Sequence, residues 1–246
     1  FGQTMNSTAD DAVAWSDDLA LLATCSTELI NSIAAMSDAD VRSPSGLPGW
    51  SRGHVLAHLE GNARGIGRLA RWARDGFERP MYITRDVRNS DVDLHSDRSR
   101  VRHQAAVAQS IDALAGDLAA LSEQQRESMV VLGNGMLVPA ASLARHRLQE
   151  VCIHHSDLGI DTYTWRNWPT PMAERMIGLV IDDFVQRDDF PVARVVVDGH
   201  ELQVNEGGTF VSGPAVAMLA WLLGRDSGTD LTAHGVDAVP AVPAWR

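Results

Sequence analysis

A carboxylate and an imidazole four residues apart, Glu150 and His154, set the tightest condition on this chain. They lie in Leu148-Gln149-Glu150-Val151-Cys152-Ile153-His154-His155-Ser156-Asp157-Leu158-Gly159, which reads as the end of a helix. At that spacing both side chains project from one helical face, about one turn apart. Such a pair can grip one divalent metal. It supplies only two ligands, whereas a catalytic zinc usually takes three from the protein and keeps one position open. The fold must therefore bring a third ligand from elsewhere. The best source is Gly49-Trp50-Ser51-Arg52-Gly53-His54-Val55-Leu56-Ala57-His58-Leu59, where His54 and His58 are again four apart. His54 sits near the helix start and suits capping or support, so His58 is the better candidate. His155 points about 100° away from His154 and reads as a surface or packing residue. Asp157 reads either as a carboxylate supporting a ligand or as part of the helix stop.

The apolar periodicity supplies helices to carry these residues. Residues 9–36 repeat Leu19, Leu22, Leu29 and Ile33 near helical spacing. A Ser, Pro and Gly linker over residues 37–48 leads to Ser51, a credible N-cap, and a second helix over residues 52–74. Gly61, Gly65 and Gly67 inside it would each cost up to about 1 kcal/mol against Ala, which points to close packing or distortion. Residues 77–94 read as a long ordered binding loop containing Tyr82 and Arg88. A third helix follows over residues 95–121, then a hairpin over residues 129–139 turning at Gly133-Asn134-Gly135, then a fourth helix over residues 140–158 stopped by Gly159. Four such helices predict a four-helix bundle, a fold that builds metal sites between facing helices.

The texture changes near Trp165. A helix is expected over residues 171–187, then strands over 193–198, 201–205 and 209–212, a last apolar helix over 215–223, and an irregular Pro- and Ala-rich tail. Asp198-Gly199 is a strong hairpin turn. The expected class is mainly α, with a bundle domain over residues 1–164 and a smaller α/β domain over residues 165–246.

Composition narrows the function. The net charge of −11 argues against nucleic acid and anionic membrane as partners. A few arginines can still make a local site for a small anion. All 21 basic residues are Arg, so no lysine nucleophile or Schiff base is available. Cys25 and Cys152 have no evident partner, which disfavours a disulfide and fits a reducing cytoplasm; Cys152 reads as a buried structural thiol. No apolar run approaches the roughly 18 residues of a spanning helix. The start shows no basic-then-apolar leader, and Phe1-Gly2-Gln3-Thr4 reads as residues added ahead of a native Met5.

Taken in order, several motifs resemble one family. They are Gly49-Trp50-Ser51-Arg52 leading to Ala57-His58, Pro80-Met81-Tyr82 with Arg88-Asn89, Glu150-x-x-x-His154 followed by Asp157-Leu158-Gly159, Gly213 before the last helix, and Gly224-Arg225 after it. In this order and spacing the chain resembles the mycothiol-dependent maleylpyruvate isomerases, a branch of the DinB-like metal-binding bundles. The resemblance implies zinc held by His58, Glu150 and His154, with mycothiol as the cofactor. It implies an enzyme that converts maleylpyruvate or a close relative to fumarylpyruvate in aromatic-acid catabolism; a cytoplasmic location and a monomer are separate expectations. The thiolate adds to the cis alkene, the former double bond rotates, and the thiolate leaves. Because the substrate is anionic, Arg88 and Arg225 are the candidate carboxylate clamps, the alternative being surface salt-bridge residues; Tyr82 either contacts substrate or thiol or packs the loop, and the second domain is the expected lid. Related bundles imply two alternatives, a mycothiol S-transferase acting on electrophiles and a non-enzymatic metal-binding protein.

Overall fold

The computed structural model describes residues 8–187 and 189–245, so the Phe1–Met5 stretch lies outside the described residues. The chain divides into two compact units after Tyr163.

The first unit runs α1 (Thr8–Ala35), α2 (Asp38–Arg42), α3 (Arg52–Asp75), α4 (Arg85–Ser96), α5 (Arg100–Ala119), α6 (Glu123–Arg126), β1 (Met129–Val131), β2 (Leu137–Pro139) and α7 (Leu143–Asp157). Helices α1, α3, α5 and α7 form a ring in which α3 packs on α5 and α7, and α1 packs on the same two. Their apolar stripes meet in a core that includes Leu29, Ile33, Leu59, Ile66, Leu118 and Leu148. Burial of such side chains contributes roughly 1.5–3 kcal/mol each relative to exposure.

Local signals set the ends of α3. Ser51 and His54 form a capping box, with the Ser51 side chain accepting from the His54 amide, and Gly76 ends the helix at φ 78°. His54 thus takes the capping role expected of it. Two of the three internal glycines mark close packing. A Cβ at Gly65 would come within 2.9 Å of Met81, and one at Gly67 within 2.9 Å of Asp117, whereas Gly61 faces open space.

Three expectations are corrected. The supposed loop over residues 77–94 contains α4, capped by the Thr84 hydroxyl. Only Val92 and Ser96 of α4 are buried, so it carries little of the apolar periodicity that identifies a helix. The following helix accordingly starts at Arg100, and the linker after α1 contains the short α2, closed by a Ser37–Asp40 capping box. Cys25 and Cys152 form no disulfide, as expected, although their side chains interact with one another across α1 and α7. Both are buried free thiols. Bundle packing joins the first and last helices in a way that sequence separation conceals.

The second unit contains α8 (Thr170–Val185), β3 (Arg194–Val197), β4 (His200–Gln203), β5 (Phe210–Gly213), α9 (Ala215–Leu222) and β6 (Thr232–His234). Its sheet has the order β4-β3-β5-β6. The β3–β4 hairpin turns at Asp198-Gly199, where φ is 48° and 87°. Strands β3 and β5 pair in parallel, and β6 adds antiparallel to β5. Strand β6 lies in the stretch expected to be irregular; it is only three residues long and has no buried residue to mark its face. Helices α8 and α9 pack together, and Phe184, Phe190 and Trp221 form an aromatic cluster. The Trp221 indole N–H donates to the Pro240 carbonyl at 2.7 Å and anchors the tail.

Candidate metal centre

Helix α3 presents His58, and α7 presents Glu150 and His154. The candidate ligand atoms of these three residues lie within 4.8 Å of one another. His58 Nε2 is 3.0 Å from Glu150 Oε2, and His154 Nε2 is 3.6 Å from the same oxygen. The two imidazoles meet edge to face, with centroids 4.6 Å apart. The His58 side chain is 6% exposed, against 19% for His154 and 35% for Glu150, so solvent reaches the cluster from the α7 side.

The surroundings fix each ring. The Asp157 carboxylate lies 2.9 Å from His154 Nδ1 and is buried, leaving Nε2 toward Glu150. This selects the supporting role for Asp157, the arrangement that orients a metal-ligating histidine. On the far side of His58, Arg88 Nη2 is 2.9 Å from Nδ1. A guanidinium only donates, so Nδ1 accepts and the Nε2–H of neutral His58 donates to Glu150. Ligation through Nε2 would move that proton to Nδ1, against Arg88. The Arg88 hydrogen bond and metal ligation by His58 are therefore alternatives.

Trp50 covers this side, stacked on His54 and edge-on to His58, with the Arg88 guanidinium 5.8 Å from its ring centre. Tyr82 packs where a Cβ on Gly133 would approach within 2.9 Å of its ring. Burial and the charge of Glu150 raise its phenol above the ordinary value, so it remains a neutral hydroxyl.

Burial, followed by the neighbouring His154, holds the His58 imidazole down to about 4 despite its bond to Glu150. Burial alone would raise Glu150. The His58 hydrogen bond and the charges of His58, His154 and Arg147 outweigh it and bring the carboxyl down to about 2. A neutral imidazole and an ionised carboxylate are the forms that ligate a cation. Two imidazole nitrogens and one carboxylate oxygen, oriented from outside and open on one side, fit a catalytic zinc.

His155, adjacent to a ligand candidate, turns into the core. It is fully buried, stacks on Tyr163 at 3.5 Å and pairs with the Ser32 hydroxyl at 2.8 Å. Arg225 lies in the second unit, where its Nη1 donates to the Leu223 carbonyl at 2.8 Å. Sequence reasoning missed Arg147 and Asn62. Arg147 shares the helical face of Glu150 and His154 at spacings of three and seven, so the signal was present.

Fold and cluster together define a helical-bundle protein with two histidines and a glutamate grouped closely enough to be candidate ligands of one divalent ion. The family described as the mycothiol maleylpyruvate isomerase N-terminal domain matches residues 22–159, more than half of the chain, and the chain belongs to that family. Among solved structures it is similar to the crystal structure of the mycothiol-dependent maleylpyruvate isomerase, with a TM-score of 0.86 at 23% identity, covering 94% of this chain and 97% of that one. A histidine-to-alanine mutant of that isomerase gives the same TM-score and coverage at 22% identity. No curated protein sequence matches the chain.

Proposed function

We propose that this protein is a zinc- and mycothiol-dependent cis–trans isomerase acting on maleylpyruvate or a close relative. The observation that carries the proposal is the convergence of His58, Glu150 and His154, with Arg88 against the same histidine, in a chain of this family. When bound, zinc supplies a cation that favours ionised sulfur, and mycothiol supplies a nucleophile that adds reversibly to the alkene and is regenerated.

The chain's own residues do the rest. His58, Glu150 and His154 hold the ion, and Asp157 keeps the His154 ring turned to it. Arg88 lies in the first turn of α4 beside the cluster and presents its planar guanidinium to a substrate carboxylate. Were His58 to ligate the ion, Arg88 Nη2 would be free to turn to that carboxylate, while Nη1 is held by the Asn89 side-chain oxygen at 2.9 Å. Tyr82 contributes a neutral hydroxyl at the same edge. Arg225 is assigned to the second carboxylate on the strength of the resemblance.

The test is an ultraviolet time course of maleylpyruvate conversion by zinc-loaded protein, with and without mycothiol. Conversion to fumarylpyruvate only with mycothiol, at constant thiol concentration, is the expected result. Consumption of thiol in proportion to product would replace the isomerase with an S-transferase. Absence of any thiol-dependent turnover would leave a metal-binding bundle. Arg225→Ala is expected to raise KM for the substrate; unchanged kinetics would remove Arg225 from the site.

A further inference from the structure

Arg147 is among the largest fully buried side chains of the protein, at 1% exposure. It sits on α7, three residues before Glu150. Its Nη1 donates to the Leu59 carbonyl at 2.9 Å and to the Asn62 side-chain oxygen at 2.8 Å. Both acceptors are on α3, and Leu59 is the residue after His58. The bond therefore ties the two ligand-bearing helices together beside their ligands. Its Nη2 is also buried and has no hydrogen-bond partner among the described residues.

A guanidinium is a poor choice for filling a core position. Burial lowers its pKa to about 10, and the charges that oppose this fall are those of Glu150 and Tyr82. A methionine or leucine would fill similar space without an uncompensated donor. The position makes physical sense if the counter-charge and the tie serve the cluster itself. Asn62, buried at 2% exposure, extends the same network to the Tyr82 hydroxyl.

We infer that Arg147, braced by Asn62, is the positioning residue of the ligand set: it fixes the separation of His58 on α3 from Glu150 on α7. The inference rests on the metal reading of His58, Glu150 and His154. Arg147 acts through those residues and touches neither substrate nor ion. The tie and the charge pull zinc affinity in opposite directions. Losing the tie loosens the ligands and weakens binding. Losing a nearby positive charge by itself would strengthen binding.

The test is a competition titration of zinc against a chromophoric chelator, using wild type, Arg147→Met and Asn62→Ala. Leu118→Ala, a buried substitution on α5, controls for general destabilisation, since α5 supplies no residue to the cluster. Positioning predicts that Arg147→Met weakens zinc binding by at least about 10-fold, the usual scale for losing a group that orients ligands. Asn62→Ala, which keeps the charge, weakens it in the same direction, and the Leu118 control does not. The cobalt-loaded visible spectrum should change in both site variants, reporting altered ligand geometry, and stay constant in the control. If Arg147→Met does not fold, Asn62→Ala decides alone. Unchanged or tighter zinc binding in the site variants would overturn the inference while leaving the metal centre intact. A wild-type chain that binds no zinc would overturn the metal reading and this inference with it.

Discussion

His154 has two ring nitrogens, and Asp157 engages one of them at 2.9 Å. Asp157→Ala should therefore leave the helix in place but let the ring turn, weakening zinc binding by about 10- to 100-fold in a chelator competition assay. Arg88 should behave in the opposite way. Its guanidinium stands 2.9 Å from His58 Nδ1, where it opposes both the proton shift and the positive ion. Arg88→Met is expected to hold zinc at least as tightly as wild type in the same assay, while kcat/KM for the anionic substrate falls by 10-fold or more. The ligand candidates were legible because helical spacing puts Glu150 and His154 on one face. Asp157 stayed ambiguous, because a carboxylate near a helix end serves equally well to stop the helix. Arg147 was hidden by its type, since a charged residue on a bundle helix ordinarily belongs to the solvated side.

At the scale of elements, the critical joint is where α3 starts against the end of α4. A Cβ on Gly53 would overlap the backbone carbonyl oxygen of Ser96 and also approach the Val41 side chain at 3.3 Å. Backbone does not yield as a flexible side chain does, so Gly53→Ala must push α4 away from α3. Overpacking of this kind costs about 1–3 kcal/mol. Because α4 carries Arg88, thermal unfolding should show a lowered Tm, and steady-state kinetics should show a raised KM. Zinc stoichiometry should hold, since the ligands lie on α3 and α7. The four long helices were legible from their apolar stripes. Helix α4 was not, because Val87 and Leu94 face solvent and break the pattern. Strand β6 and the parallel β3–β5 pairing escaped for a related reason: strand order follows from packing between segments, and period-two alternation within a segment carries no record of its neighbour.

For the molecule as a whole, buried histidines set the acid limit. Burial pushes the His155 imidazole down to about 4, against an ordinary 6.5 in the unfolded chain. Between those values the unfolded chain binds a proton that the folded chain refuses. The His155 contribution is thus complete above pH 6.5 and is lost as pH falls toward 4, up to roughly 3 kcal/mol. His103, also buried and lowered, acts with the same sign, and Glu150 adds its loss below its ordinary 4.5. Urea midpoints at pH 7.5 and pH 5 should show the fall, and His155→Phe, which keeps a ring against Tyr163, should make it smaller. Among the described residues no helix is long and apolar enough to cross a membrane. The mainly α class and the change of texture near Trp165 were readable from pattern alone.

The loop before α3 is stitched to the end of α7: the Gly46 N–H donates to the Asp157 carbonyl at 2.7 Å, and Arg52 donates to the Leu158 and Gly159 carbonyls at 2.8 Å. The candidate metal ligands His58, Glu150 and His154 are thereby held together locally, independent of most of the chain that runs between them. Residues of α4 and the β1–β2 hairpin can be exchanged or lengthened without unpicking that stitch. A lineage built on this plan can keep the grouping of His58, Glu150 and His154 while the surfaces around it vary.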